Sequence, residues 1–246
     1  MTKVGVIGAA GTMGSLACGW VQAADNLELV ARITEDDSIE ELADAEVAID
    51  FTHPGVVMDH IMWCIEHSIH VVVGTSGFTR ERLDAVADRL GGDPHVGVVV
   101  VPNFSIGAVL MMRFAAQAAH YFESVEIVEL HHPTKLDAPS GTSIRTAQLI
   151  AAARARGGSP PIPDATRDDK LGARGGTVEG VPVHSVRARG LMAHQEVLLG
   201  NTGETLTIRH DMPDRAAAEP GLVASIPYVV DHPGLTVGLE PVLGLA

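Results

Sequence analysis

Several large classes of protein are excluded by what this chain has little of. Only two cysteines occur in 246 residues, Cys18 and Cys64, each in a segment with amphipathic helical spacing. Neither a disulfide framework nor a thiolate metal site has support, and both are expected to be buried free thiols. Aromatic residues make up 4%, too few for a platform on which single-stranded nucleic acid could stack. Positive charge is scarce: 17 Lys and Arg stand against 31 Asp and Glu, a formal charge of −14. Such a surface repels phosphate backbones, so no nucleic acid partner is expected. No stretch approaches the roughly 18 consecutive apolar residues of a membrane span, although the mean hydropathy is +0.20, so no membrane partner is expected either. Met1-Thr2-Lys3 runs directly into Val4-Gly5-Val6-Ile7 with no apolar leader or small-residue cleavage site, which predicts a cytoplasmic location.

What is present fits a folded globular chain, with 46% apolar and 20% charged residues. The first hundred residues alternate short β-branched runs, VGVIG, LELVARI, VAIDF, HVVVG and VGVVVV, with helical patterns at 12–23, 55–67 and 80–90 and a short acidic helix between the second and third runs. Strands this short and uniformly apolar are buried on both faces, and the helices between them are crossover connections. The pattern predicts an α/β, doubly wound, Rossmann-like parallel sheet. After Pro102 it changes to an apolar helix over 106–121, a strand VEIVEL, a polar loop and a helix from about 142 to 156. Gly157, Gly158 and Pro160, Pro161 and Pro163 stop that helix. Between Val181 and His210, Leu206 and Ile208 alternate with Thr205, Thr207 and Arg209. That period reads as antiparallel strands with one apolar face, hence an α+β second domain. The closing LTVGLE run could return to complete the first sheet.

Gly8-Ala9-Ala10-Gly11-Thr12-Met13-Gly14 stands where the first strand ends and the first helix begins. Glycines there let the backbone turn tightly and approach a pyrophosphate, and the helix start supplies free N–H groups. A purely structural turn yields the same letters; the apolar strand in front favours dinucleotide binding. Phe51-Thr52-His53, Gly74-Thr75-Ser76-Gly77 and Val101-Pro102-Asn103-Phe104 fall at the carboxyl edge of the same sheet, along which open α/β sheets bind ligands.

The densest polar cluster runs from Glu129 to Thr142, ELHHPTKLDAPSGT, between a strand and a helix. Ser140 is a candidate N-cap, and Gly141 and Thr142 open a first turn whose amides suit a carboxylate. Capping without a ligand is the plain alternative for Ser140. His131 and His132 are adjacent in an extended segment and point to opposite sides, which makes joint metal chelation awkward, so no metal is expected. A His and a Lys four residues apart can instead share proton delivery and charge stabilisation. Among other histidines, His53 could line a cofactor cleft, His184 and His194 read as structural, and His60, His67, His70, His95, His120 and His232 read as helix, loop or satellite-core residues.

HHPTKLDAPSGT, with GAAGTMG, DFTHP, GTSGF, PNFSIGA and PGLTVGLEP in order along the chain, resembles the 4-hydroxy-tetrahydrodipicolinate reductase family of bacterial lysine and diaminopimelate synthesis. The resemblance implies a dinucleotide-binding domain of residues 1–104 plus 214–246 and an inserted substrate-binding and tetramerisation domain of 105–213. It implies NADH or NADPH as cofactor, a small cyclic dicarboxylic acid as substrate and a homotetramer. It makes His131 and Lys135 the catalytic pair and assigns His132, Ser140, Gly141 and Thr142 to the substrate. Gly8, Ala9, Ala10, Gly11, Thr12, Met13, Thr34, Phe51, Thr52, Gly74, Thr75, Ser76, Val101, Pro102, Asn103 and Phe104 become cofactor-binding.

The chain departs from the family pattern at Ala10 and Thr12, where relatives carry basic residues, and at Thr34, where an acid usually meets the adenosine ribose. Ser76 replaces a usual Thr, and Thr134 a frequent His or Asn. Three acids, Glu35, Asp36 and Asp37, follow Thr34, and Arg32 is the only nearby cation. With Thr34 the ribose hydroxyls lose their usual acceptor unless Glu35 reaches back to supply it; NADH is therefore expected to serve at least as well as NADPH, and Glu35→Ala to shift the balance toward NADPH. Two other readings share the glycine loop: a different amino- or hydroxy-acid dehydrogenase, which has no use for HHPTKLDAPSGT, and a non-catalytic dinucleotide sensor, which has no use for the His and Lys.

Overall fold

In a computed structural model that describes residues 1–245, the β-branched runs and helical segments become β1 (Thr2–Ile7), α1 (Thr12–Ala23), β2 (Leu27–Ile33), β3 (Val47–Asp50), α2 (Val57–Glu66), β4 (His70–Val73), α3 (Arg80–Leu90) and β5 (Gly97–Val100). The chain continues through α4 (Ile106–Ala119), β6 (Ser124–His131), α5 (Gly141–Arg156), β7 (Gly176–Val178), β8 (Val181–Arg187), β9 (Ala193–Asn201), β10 (Glu204–Met212), α6 (Glu219–Asp231) and β11 (Gly234–Val237). The acidic segment after β2 forms only a short 3₁₀ turn, Ile39–Leu42. Two compact units result, one of Met1–Ile106 with the segment from Ala216, the other of Gly107–Arg215. Among the described residues no helix is long and apolar enough to cross a membrane.

The first unit is a parallel sheet in the order β11-β5-β4-β3-β1-β2. Val4, Val6, Val47, Ile49, Val71, Val72, Val98 and Val99 are completely buried. Residues pointing to both sides are covered because α1 and α6 pack together, as do α2 and α3. Val71, Val73, Val98 and Val100 share one core with Ile61 and Cys64 of α2 and Val86 of α3. The chain leaves β1 for β2 on one side and comes back to β3 on the other, so the strand order reverses at β1. The carboxyl ends of β1 and β3 thus flank a switch point, the place where sheets of this kind open a crevice. The final run returns as expected, with β11 pairing in parallel from Gly234 against Gly97 to Val237 against Val100. Cys18 and Cys64 are buried and unbridged. Burial, with Asp50 nearby, pushes the Cys64 thiol up to about 12.

The second unit is a mixed sheet in the order β10-β9-β6-β8-β7, with β6 antiparallel to β9 and parallel to β8. Val125, Ile127, Val183, Val197 and Leu199 are buried on its covered face, against Ala147 and Ile150 of α5. The apolar face that the alternation in β10 predicts is formed by Leu206 and Ile208. They stand opposite Leu199 and Val197 and so belong to the covered face. Leu206 keeps 40% exposure because β10 is the edge strand. The open face instead mixes Val128, Leu130, Val186 and Leu198 with charge, including Glu126 beside His184 at 2.5 Å, His194 beside Asp211 at 2.6 Å, and Glu196 paired with Arg209.

Candidate active site

In the parallel-sheet unit, glycine is required by close backbone approach. Gly8 has φ +80°, and a Cβ there would stand 2.6 Å from the Phe51 carbonyl oxygen; one on Gly14 would stand 2.0 Å from the Gly8 carbonyl oxygen. The β1–α1 loop is thereby pressed between the end of β3 and the first turn of α1. Gly11 is the N-cap of α1 and no side chain caps that turn. Ala10, Gly11 and Thr12 are exposed, while Ala9 and Met13 are half-buried. At the neighbouring strand ends, Phe51 and Phe104 meet edge to face at 5.7 Å. A Cβ on Gly74 would lie 2.1 Å from the Phe51 ring and 2.9 Å from that of Phe104. The ends of β1, β3, β4 and β5 therefore converge on one edge. Val101 and Phe104 are buried, Ser76 and Pro102 are exposed, and the Asn103 side chain accepts from the Ser105 amide at 2.9 Å.

Asp50, the last residue of β3, is the organising group that the motifs did not single out. It is fully buried and accepts from the Thr52 amide at 2.9 Å, the Thr52 hydroxyl at 2.7 Å and the Thr75 hydroxyl at 2.8 Å. The fourth partner is His60 Nδ1 at 2.7 Å, on a histidine expected to be a bland helix residue. Burial alone raises the Asp50 carboxyl, but these partners outweigh it and hold the group below the usual carboxylate range. An acid closing the apolar run VAID was the available signal, since a buried carboxylate needs partners. His53 is exposed, with its ring accepting from the Gly55 amide.

At the end of β2, Thr34 donates from both its amide and its hydroxyl to Asp37 Oδ2, at 2.8 and 2.7 Å. Asp37 thus folds back onto Thr34, because the turn over 34–37 brings the fourth residue onto the first. Arg32 donates to Gln22 in the last turn of α1 at 2.8 Å. That lies ten residues, or about 15 Å of helix, from the helix start at Thr12.

In the second unit, β6 carries Glu129 and His131 on one face, two residues apart. Glu129 is fully buried and contacts His131 Nδ1, while Arg187 donates to it through Nη1 at 2.9 Å and Nη2 at 2.8 Å. Burial would raise this carboxyl, yet His131, Arg187 and Ser185 together bring it down to about 2. The loop that follows turns from His132 to Lys135, with His132 Nδ1 on the Thr134 hydroxyl at 2.7 Å and Lys135 Nζ on Asp137 at 2.7 Å. Arg187 Nη2 also donates to the Asp137 carbonyl at 2.7 Å, which ties this loop to β8.

Ser140 is the N-cap of α5, its hydroxyl accepting from the Ser143 amide at 3.2 Å. The hydroxyl is buried and also meets Ser143 Oγ, so its capping role is realised. Gln195 of β9, unassigned from sequence, anchors the helix start by accepting from Ser143 and donating to Thr146, each at 2.8 Å. Gly141 is exposed and Thr142 half-buried at the mouth of this turn. Among the described residues no three His, Cys, Asp or Glu side chains gather as a metal-binding set.

These features converge with three likenesses. Residues 2–104 match the family model for the dihydrodipicolinate reductase N-terminus and residues 107–243 that for its C-terminus. Proteins named 4-hydroxy-tetrahydrodipicolinate reductase are 56% identical in Nocardia farcinica, over 99% of each chain, and 55% identical in Cutibacterium acnes, over 100% of each. The solved structure of dipicolinate-bound dihydrodipicolinate reductase from Paenisporosarcina sp. TG-14 superposes with a TM-score of 0.86 at 38% identity, covering 98% of this chain and 99% of that one. With models and relatives spanning both units, the chain belongs to the dihydrodipicolinate reductase family.

Proposed function

We propose that this protein reduces 4-hydroxy-tetrahydrodipicolinate to tetrahydrodipicolinate, in the cytoplasm, as a step of lysine and diaminopimelate synthesis. The observation that carries the reading is the 131–142 segment, where a buried-carboxylate-backed His131, Lys135 and a rigidly capped helix start lie within twelve residues. The nicotinamide cofactor fits the glycine cradle, whose Cβ positions backbone already fills. When bound it supplies a hydride. Gly8 to Met13 border its pyrophosphate, Thr34 its adenosine ribose, and Phe51, Thr52, Gly74 to Ser76 and Val101 to Phe104 the remainder.

Water loss from the 4-hydroxy ring leaves a conjugated imine. With a hydride supplied at C4, the electron pair would move toward the ring carbon between C4 and the imine carbon and on to the ring nitrogen, and a proton taken up at that carbon would complete the reduction. His131 holds that proton at Nε2, since its Nδ1 is engaged by Glu129. Lys135 sets a cation beside the developing charge. The amides of Gly141 and Thr142 hold one substrate carboxylate, and His132 contributes to the other. Nucleotide oxidation that occurs only when the cyclic dicarboxylate is added, and that pyridine-2,6-dicarboxylate inhibits competitively, is the expected result. Tight nucleotide binding with no oxidation would favour the sensor instead.

Cofactor choice follows from the end of β2. With Arg32 drawn to Gln22 and Asp37 folded onto Thr34, no cation is committed to a 2′-phosphate there. NADH should be used at least as well as NADPH by kcat/KM, and Asp37→Ala should move the ratio toward NADPH. A preference for NADPH above about tenfold, or roughly 1.4 kcal/mol, would contradict this.

The open sheet face of the second unit, with Val186 and Leu198 at 37% and 38% exposure, is the surface through which four copies associate. Light scattering should give about four times 25.8 kDa. A mass near that of one chain would contradict the assembly.

A further inference from the structure

We infer that Glu129 and Arg187 form a positioning pair for His131 and for the loop that carries Lys135. Glu129 holds the imidazole by Nδ1, leaving Nε2 for proton transfer, and Arg187 fixes that carboxylate while tying the loop through the Asp137 carbonyl. The inference rests on the proposed reductase reading for its kinetic consequence, but its structural content stands by itself.

A histidine on a strand end can turn about its side-chain bonds and exchange tautomers, and either freedom lowers the fraction poised to donate a proton. Glu129 removes both. It lies two residues before His131 on the same face of β6, so its carboxylate meets the nearer ring nitrogen. Because it is ionised throughout the working range it is an acceptor only. Nδ1 must then carry hydrogen, and the exchangeable proton is on Nε2. A carboxylate with no exposure at all could itself swing or protonate if left alone. Arg187 prevents this with a forked contact, both terminal nitrogens lying within 2.9 Å of the two carboxylate oxygens.

Arg187 stands opposite His131 in the β6–β8 register. Its Nη2 also holds the Asp137 carbonyl at 2.7 Å, and Asp137 in turn holds Lys135 Nζ. One guanidinium therefore connects the supports of both residues assigned to the chemistry. This arrangement is more than an ordinary buried ion pair, in which neither partner would need to meet a histidine or a loop carbonyl.

Charged and titratable groups around His131 are Glu129 on its own strand, Arg187 on β8, and His132, Lys135 and Asp137 on the loop; across the same sheet face, His210 of β10 stands opposite Gln195. Removing the Glu129 charge leaves Asp137, already paired with Lys135, as the one carboxylate of that set, against the Arg187 and Lys135 cations. Activity that requires protonated His131 is then lost at a lower pH than in the wild type.

Nitrogen-15 spectra of the histidine rings, in wild type and Glu129→Gln, test the inference. Wild-type His131 in its neutral form is expected as the Nδ1–H tautomer, and Glu129→Gln as a mixture. In the same variant kcat should fall about 10–100-fold, the usual effect of removing a group that orients a functional histidine. The KM for the dicarboxylate should stay within about threefold, and the high-pH limb of kcat should shift to lower pH, which loss of packing alone does not produce. Should Glu129→Gln fail to fold, Glu129→Asp, which keeps the charge but withdraws it from Nδ1 by one methylene, is expected to lower kcat with KM within about threefold, and a wild-type kcat there overturns the inference. A wild-type Nε2–H tautomer, or a variant with wild-type kcat and pH profile, overturns the inference. If the protein proves not to reduce this substrate, the ring spectra still decide the positioning claim, so the two failures are distinguishable.

Discussion

His131→Gln and Lys135→Ala are each expected to lower kcat by about 10²–10⁴, the range for a positioned proton donor, with nucleotide affinity little changed. Both substitutions spare the fold for identifiable reasons. A Gln amide at 131 can still donate to Glu129, so the buried carboxylate keeps a partner while the group that exchanges protons near neutral pH is gone. Lys135 is paired with Asp137, whose side chain is 57% exposed, and breaking a pair so open to water costs little. The glycine loop and the Phe51, Gly74 and Phe104 contacts belong to the parallel-sheet unit, whereas His131 and Lys135 belong to the other. Steady-state kcat and a separately titrated nucleotide dissociation constant check the two halves. A wild-type rate in either variant removes that residue from the chemistry.

Acid should destabilise the wild type more than it destabilises Glu129→Gln. In the folded chain the Glu129 carboxyl sits at about 2, against its ordinary value of 4.5. A group depressed on folding stabilises fully above its unfolded value, and that stabilisation fades as pH falls through the interval down to the folded value. The window here runs from about pH 4.5 to about pH 2, and the full contribution is about 3 kcal/mol. Asp50 and Glu126 are also depressed, each by its hydrogen-bond partners against the effect of burial. They occur in both proteins and cancel in the comparison. Denaturation midpoints across this range should show a gap between the two proteins that is widest above about pH 5 and closes toward pH 2. A gap that does not change with pH would mean that the buried carboxylate is not the source of the difference.

The parallel sheet was readable because its strands are buried on both faces, so VAID, HVVV and GVVV leave a continuous apolar signal between amphipathic helices. Helix limits were equally plain where a cap is local: Thr79 before α3 and Ser140 before α5 accept from amides three residues on. The second sheet was harder. Alternation shows that a strand has two different faces, but which of them is covered depends on register, and in β10 the apolar face is the covered one at an exposed edge.

At the site, the residues that carry chemistry lie close in sequence, from His131 to Thr142, and the run could be read directly. Their supports could not. Arg187 reaches Glu129 and Asp137 across half a hundred positions, Gln195 reaches Ser143 from β9, and His60 reaches Asp50 from α2. Contacts of that kind arise only when strands pair, and no short motif records them. At the end of β2 it is backbone direction that brings Asp37 onto Thr34, and a run of three adjacent acids does not record it.

The central claim is hydride transfer to C4 of the cyclic substrate, and isotope tracing tests it most directly. With a reduced nicotinamide nucleotide deuterated at its transferable position and freshly prepared 4-hydroxy-tetrahydrodipicolinate, the tetrahydrodipicolinate formed should carry one deuterium at C4. Product without deuterium, or no product while the nucleotide remains bound, would contradict it.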